Sequence, residues 1–220
     1  MVKSRIEKVF YMFSSVDTLG KIIVSIFSFV VNAFVLNVLF VVYILIGGIL
    51  LGFFPALSTL FITVRFLFKN KEKKESIIRF YNKSYFSSFW ETNKIGYMYL
   101  LPGVLLVFAV IYFAPYEHII IKIVYFITLF IFSIYLLVFP HLFMMYSHFE
   151  LSFKQYLKEP LMVFFISLRE NIMLVLGYIV IMLISYNYPI FIPLLFPSSF
   201  VFLTVFILLN HYDKLHENKT

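Results

Sequence analysis

The sequence predicts an all-α, polytopic membrane helical bundle, and three observations support this fold class. Of the 220 residues, 62% are hydrophobic and only 13% are charged, whereas about 25% of the residues in soluble domains are charged. The apolar residues form long runs, and about 20 such residues cross a hydrocarbon layer of roughly 30 Å. Lysine and arginine occur in alternate connections between these runs. The spans must be helical, because unpaired backbone amides in hydrocarbon cost several kcal/mol each.

Hydropathy divides the chain into about six transmembrane helices, which pair into three hairpins. Short amphipathic helices at the cytoplasmic interface complete a single integral membrane domain over residues 1–220. The predicted spans cover residues 24–51, 54–68, 95–113, 119–145, 171–187 and 189–209.

The distribution of basic residues predicts the orientation of these spans. Every lysine and arginine except Lys122 and Arg65 falls before the first span, in every second connection, or after the last span, and Arg65 lies near the end of the second span that leads into a basic connection. Lysine and arginine in short loops favour the cytoplasmic side. We therefore expect a multi-pass protein of the cell membrane with both termini in the cytoplasm.

The first hairpin turn is predicted at Gly52-Phe53-Phe54. Pro55 follows it, and proline is favoured in the first turn of a helix. The second helix then covers residues 54–68, which is short for a crossing. A full crossing and a re-entrant helix pair both remain open, and the basic residues on either side of this hairpin favour the crossing.

Residues 69–94 form the most polar long segment and carry aromatic residues at helical spacing. This pattern predicts an amphipathic helix in the cytoplasmic interface. Trp90 is expected at headgroup depth, where aromatic side chains are enriched. We interpret the segment as a candidate docking loop for a partner protein, represented by Lys74, Tyr81 and Trp90.

Several landmarks occur in order along the chain: Gly52-Phe53-Phe54-Pro55-Ala56 with Arg65 nine residues later, Phe89-Trp90, Asn93-x-x-Gly96, Val138-Phe139-Pro140 and residues 152–158. Their order and spacing resemble the YesL-like family of bacterial integral membrane proteins. The resemblance implies a fold and a theme, since this family is a domain of unknown function and some members lie beside genes for carbohydrate uptake.

Few residues in the predicted spans carry chemistry. Within the signature, Gly52 and Pro55 mark the turn, and Arg65 is a candidate for a partner or headgroup contact. Pro140 removes a backbone hydrogen bond from its helix, so Pro140 and His141 are a candidate helix break. His141 is either a gate or a structural hydrogen bonder.

The sequence contains no cysteine, no paired carboxylates at a catalytic spacing and no phosphate-binding or metalloprotease motif. We therefore expect no enzyme activity, catalytic residue, cofactor or metal site. The basic residues flank helix ends, where anionic lipids attract them, so the expected partners are the bilayer and membrane transport proteins rather than nucleic acid.

The function favoured by the sequence is a non-catalytic membrane protein, an accessory component associated with carbohydrate uptake. One alternative is a small permease or channel, which could use helix breaks to line a polar path. Another is a lipid-interacting structural or sensing subunit. The solute, the partner and the oligomeric state remain open.

Overall fold

A computed structural model describes residues 27–70, 76–189 and 191–217, without the side chains of 191–195 and 216–217. In this part of the chain all regular structure is helical, which confirms the all-α fold class. The helices are α1 (Phe27–Ile46), α2 (Leu50–Lys69), α3 (Ile77–Phe113), α4 (Ile119–His148), α5 (Phe153–Ile166), α6 (Leu168–Asn187) and α7 (Phe191–Glu217).

Five helices of the described chain, α1, α2, α3, α4 and α6, are long and apolar enough to cross a membrane. Residues 191–209 of the sixth predicted span lie within α7, which has 27 residues. Helix α2 has 20 residues, or about 30 Å at 1.5 Å per residue. Its length therefore suffices for a crossing.

The turn between α1 and α2 precedes the predicted position. Gly48 has a positive φ of 75°, and its N–H donates to Leu45 O at 3.0 Å, while Ile49 N–H donates to Ile44 O at 2.9 Å. This is the Schellman arrangement, in which glycine supplies the left-handed residue after a helix. The prediction of a turn at Gly52-Phe53-Phe54 is therefore wrong, because α2 has already begun at Leu50.

Helix α3 joins two segments that the sequence analysis separated. Its 37 residues extend for about 55 Å, well beyond a hydrocarbon layer of roughly 30 Å. The aromatic segment from residue 77 to residue 94 is thus the first half of α3 and not a separate interfacial helix. Helix α3 continues through Gly96 because this glycine packs closely against Phe54 of α2.

Helix α2 is the most buried of the five membrane-length helices and contacts α3, α4 and α7. Buried side chains of α3 extend only from Tyr81 to Gly103, and those of α4 only from Val138 to Ser147. Beyond these limits the α3–α4 hairpin exposes large apolar side chains such as Phe108. The core is therefore concentrated around α2.

Helix α5 follows α4 after a short connection. A capping box starts it, in which Ser152 N–H donates to Gln155 Oε1 at 2.9 Å. This reciprocal cap provides partners for backbone groups at the start of a helix. The chain thereby turns into α5 beside the end of α4, and this corner forms one wall of the site described next.

Candidate functional site

A polar cavity of about 590 Å³ lies where the end of α2 meets α3, the end of α4 and the start of α5. Its volume is within the range of roughly 300–1,000 Å³ that is usual for small-molecule sites. The lining residues are Ile62, Arg65, Ser84, Ser87, Ser88, Glu91, Tyr146, Ser147, His148, Phe149, Glu150, Leu151 and Tyr156.

Helix α2 contributes Arg65 to this cavity. Its side chain is half-buried, and Nη1 donates a hydrogen bond to the backbone oxygen of Ser147 on α4. Arg65 Nε has no hydrogen-bond partner among the residues that the structure describes. The contact with the Ser147 oxygen holds the guanidinium in place. Because a guanidinium has five N–H donors, other N–H groups of Arg65 remain for a ligand.

Helix α3 contributes a row of polar residues at positions 84, 87, 88 and 91, and this spacing places them on one helix face. Ser87 Oγ and Ser88 Oγ donate to the backbone oxygen of Ser84, at 3.0 and 2.8 Å. Their O–H groups are thus used within the helix, and their oxygen lone pairs remain available as acceptors. Glu91 completes the row with a carboxylate.

Two tyrosines from α4 and α5 close the cavity. Tyr146 O–H donates to Glu91 Oε2 at 2.8 Å, and Tyr156 O–H donates to Phe149 O at 2.6 Å. Burial raises the pKa of Tyr156, and the nearby carboxylates of Glu91 and Glu150 raise this pKa further. The hydroxyl therefore stays protonated at neutral pH and keeps its hydrogen bond.

The cavity wall combines groups of opposite hydrogen-bonding character. The carboxylates of Glu91 and Glu150 only accept hydrogen bonds, the guanidinium of Arg65 only donates them, and the hydroxyls can do both. This arrangement suits a small ligand that carries many donors and many acceptors.

Lys69 and His148 lie at the same end of the bundle. Asp213 Oδ1 on α7 is 2.6 Å from Lys69 Nζ and 3.2 Å from His148 Nε2. The contact ties the ends of α2, α4 and α7 together beside the cavity. It also places one of the basic residues that define the predicted cytoplasmic side close to this site.

The signature residues Gly52 and Pro55 lie within the first turns of α2, where they pack against neighbouring helices. A Cβ at Gly52 would overlap the backbone of Ile44 on α1, and a Cβ at Gly96 on α3 would overlap the ring of Phe54. Two of the sequence landmarks therefore meet in space, and their small residues permit close helix packing.

His141 lies inside a buried hydrogen-bonded chain. Tyr212 O–H donates to Nδ1 at 2.9 Å, Nε2–H donates to Asn171 Oδ1 at 2.7 Å, and Asn171 Nδ2 donates to Phe164 O at 2.7 Å. The directions follow because the Asn171 amide already donates to a carbonyl, so its oxygen must accept. Helix α4 continues through Pro140, so the expected helix break is wrong, and His141 links α4 to α6 and α7.

The residues of the predicted docking loop separate in the structure. Trp90 is 75% exposed, whereas Tyr81 is fully buried and donates to Ala56 O at 2.8 Å. Nine residues separate them, which corresponds to about 180° around a helix, so they lie on opposite faces of α3. Tyr81 therefore cannot contribute to an exposed docking surface, and Lys74 lies outside the described residues.

Arg65 is a candidate from the sequence, whereas most of the groups that surround it are not. Glu91 had a detectable signal, since it lies three and four residues from Ser88 and Ser87 on one helix face. Ser147 had no detectable signal in the sequence, because Arg65 binds its backbone oxygen, and every residue has a backbone oxygen. Tyr146 and Tyr156 resemble any other interfacial aromatic residue until the helices are assembled.

Comparison with known proteins shows a similarity for part of the chain but no activity. No curated protein and no solved structure matches the chain. Residues 33–110 match a protein family of unknown function, DUF624. The match spans α2, the Gly52-to-Ala56 motif, Arg65 and most of α3, so this part of the chain is similar to that family.

Proposed function

We propose that the protein is a non-catalytic, multi-pass protein of the cell membrane that binds a small polyhydroxyl solute in the polar cavity. In this proposal it serves as an accessory component of carbohydrate uptake. The observation that carries the proposal is the presence of Arg65, Glu91 and Glu150 in the wall of one cavity.

The chemistry of a sugar fits this wall. Each sugar hydroxyl donates one hydrogen bond and accepts others, so it needs both acceptor-only and donor-only groups around it. Glu91 and Glu150 are the acceptor-only groups, and Arg65 is the donor-only group. Tyr146 and Tyr156 add aromatic ring surface. The resemblance to the YesL-like family supports the same solute class through its association with carbohydrate uptake.

The charge distribution supports a cytoplasmic location for the cavity. Lys69, which pairs with Asp213, lies at the same end of the bundle as the cavity. The lysine and arginine bias predicts that this end faces the cytoplasm. With both termini on that side, the cavity would sample solute that has already entered the cell.

A binding assay tests the solute class. Purified protein in nanodiscs is titrated with a panel of labelled mono- and oligosaccharides, and saturable binding of at least one member is expected. Arg65→Gln and Glu91→Gln should each weaken binding about tenfold or more, since a hydrogen bond to a charged group contributes about 1.5–3 kcal/mol. Arg79→Gln on the exposed face of α3 is the matched control. Absence of binding throughout the panel would refute the sugar assignment.

The accessory role requires a docking surface for a transport protein, and we place it on the exposed face of α3. This face carries Phe86 and Trp90 with the basic residues Lys83 and Lys94. Aromatic anchors among positive charges suit an acidic partner segment with apolar side chains. We therefore expect a cytoplasmic segment of a membrane transport subunit to occupy it.

Photo-crosslinking separates this role from a permease. A photoreactive amino acid at Trp90 should capture a transport subunit in cells, whereas the same group at Leu105, which is exposed on the apolar half of α3, should capture lipid. Solute that binds without crossing reconstituted liposomes supports the accessory role. Solute flux through the isolated protein would instead establish a permease or channel.

A further inference from the structure

A second groove, of about 490 Å³, lies between α4, α5 and the end of α7. It adjoins the polar cavity at Phe149, which lines both, but it is mostly apolar, and its polar residues come mainly from the first half of α5. The lining residues are Met145, Phe149, Lys154, Gln155, Lys158, Glu159, Met162, Val163, Ile166 and Leu215.

A stripe of residues four positions apart runs along α5 in this groove: Lys154, Lys158, Met162 and Ile166. Residues at this spacing are neighbours on one helix face. The stripe extends for about 18 Å at 1.5 Å per residue. It is basic at its start and apolar at its end, so this single helix face is itself amphiphilic.

The positive charges of Lys154 and Lys158 are not neutralised by a carboxylate of the described residues. Both are exposed, and neither has an ion-pair partner among the residues that the structure describes. Glu159, the acidic residue of the lining, makes an interaction of its own. The basic end of the groove is therefore able to accept an anion.

The apolar end is open rather than filled. Met162 is 52% exposed and Ile166 is 62% exposed, and Met145, Phe149 and Leu215 line the groove beside them. Methionine side chains adapt readily to irregular apolar ligands. A soluble anion would leave this surface uncovered, whereas an acyl chain would cover it.

We propose that this groove binds one anionic phospholipid. Lys154 and Lys158 hold its phosphate, and an acyl chain lies along Met162 and Ile166. Because the basic end of the bundle is assigned to the cytoplasmic side, the lipid belongs to the inner leaflet, where anionic lipids are concentrated. The proposal does not depend on the ligand of the polar cavity.

Native mass spectrometry of the full-length protein tests the headgroup contact. We expect phosphatidylglycerol to bind more tightly than phosphatidylcholine, with one site of higher affinity. Lys154→Gln/Lys158→Gln should weaken that site about thirtyfold, from the usual contribution of each basic residue near an anionic surface. The matched control is Arg79→Gln/Lys122→Gln, which removes the same charge from exposed positions of α3 and α4. An equal loss in both double variants would overturn the site, because it would reveal only a response to net charge.

A second arm tests the acyl chain. Met162→Asn/Ile166→Asn should weaken phosphatidylglycerol binding while it leaves both lysines in place, and excess inorganic phosphate should not compete with the lipid. Competition by phosphate would show an anion site without a lipid and overturn the proposal. Thermal unfolding of each variant confirms that the fold is retained, since all four substituted positions are exposed.

Discussion

Asn93 Nδ2 on α3 lies 2.9 Å from the backbone oxygen of Leu51 on α2. In a regular helix this oxygen would accept the N–H of residue 55, but Pro55 has none. The Asn93 side chain supplies the missing donor from a neighbouring helix. The proline of one sequence landmark and the asparagine of another are therefore parts of one interhelical contact.

We expect Asn93→Ala to lower the free energy of unfolding by about 1–2 kcal/mol, since it removes an interhelical hydrogen bond and leaves the partly buried Leu51 carbonyl unpaired. Pro55→Ala in the same background should restore most of this loss, because the backbone N–H that alanine brings to this position can then donate to Leu51 O. Unfolding of the purified protein in a denaturing detergent, followed by circular dichroism, measures both values.

The control for this cycle is Asn187→Ala. Asn187 Nδ2 also donates to a backbone oxygen, but to Leu183 within its own exposed helix end. Its removal should change stability by less than about 0.5 kcal/mol, as is usual for surface positions. Strictly additive effects of the changes at positions 93 and 55 would contradict the coupling that we infer.

We expect Gly96→Val to be strongly destabilising, because a Cβ at this position overlaps the ring of Phe54. Overpacking of this kind costs about 1–3 kcal/mol. Phe54→Ala should partly compensate by removing the ring. Gly177→Ala is a milder comparison, since its Cβ meets only the end of the flexible Leu203 side chain. Thermal unfolding temperatures in detergent should follow this order, and tolerance of Gly96→Val without loss of stability would refute the close approach of α2 and α3.

We expect His141→Phe to destabilise the bundle by about 1–3 kcal/mol, since it leaves Asn171 Oδ1 buried without its partner and leaves Tyr212 O–H only its 3.4 Å contact with the backbone oxygen of residue 141. Tyr212→Phe removes one donor and should cost less. His118→Phe, at the exposed start of α4, serves as the control for the added ring. If Tyr212→Phe cost more than His141→Phe in the same unfolding assay, the central position of His141 in the network would be wrong.

The absence of cysteine allows a clean test of orientation. A Tyr116→Cys variant places a single thiol in the connection between α3 and α4, and Lys158→Cys places one on α5. On intact cells, a membrane-impermeant maleimide should label the first variant and reach the second only after the membrane is opened. The reverse pattern would invert the orientation inferred from the basic residues.

The helical segments were largely predictable because hydropathy and length report directly on a helix in a membrane. The errors fell on the ends of helices and on the expected break at Pro140. Gly47-Gly48 and Pro55 both signal a break, and the turn was expected beside Pro55. Asn93 satisfies the carbonyl that Pro55 leaves free, which lets α2 begin earlier, and this contact between two helices has no signal in the local sequence. Likewise, Gly96 by itself predicts an interruption of α3, whereas in the structure the helix continues and Phe54 packs against this glycine.

The candidate site was predictable only in part. Arg65 was identifiable because an ionisable residue at the end of an apolar segment is unusual. Its position in a cavity was not, since that depends on Glu91 from α3, the Ser147 oxygen from α4 and the corner that leads into α5.

Composition by itself determined that this chain is a helical membrane protein, and the order of charges predicts which ends of its helices share a side, because burial of apolar surface in lipid and the lysine and arginine bias act on each segment separately. The tertiary structure alone decided which face of α3 is buried, that His141 is held by Asn171 and Tyr212, and that the polar residues of four segments line one cavity. These features arise from contacts between residues distant in the chain, and such contacts are specified by helix packing rather than by local pattern.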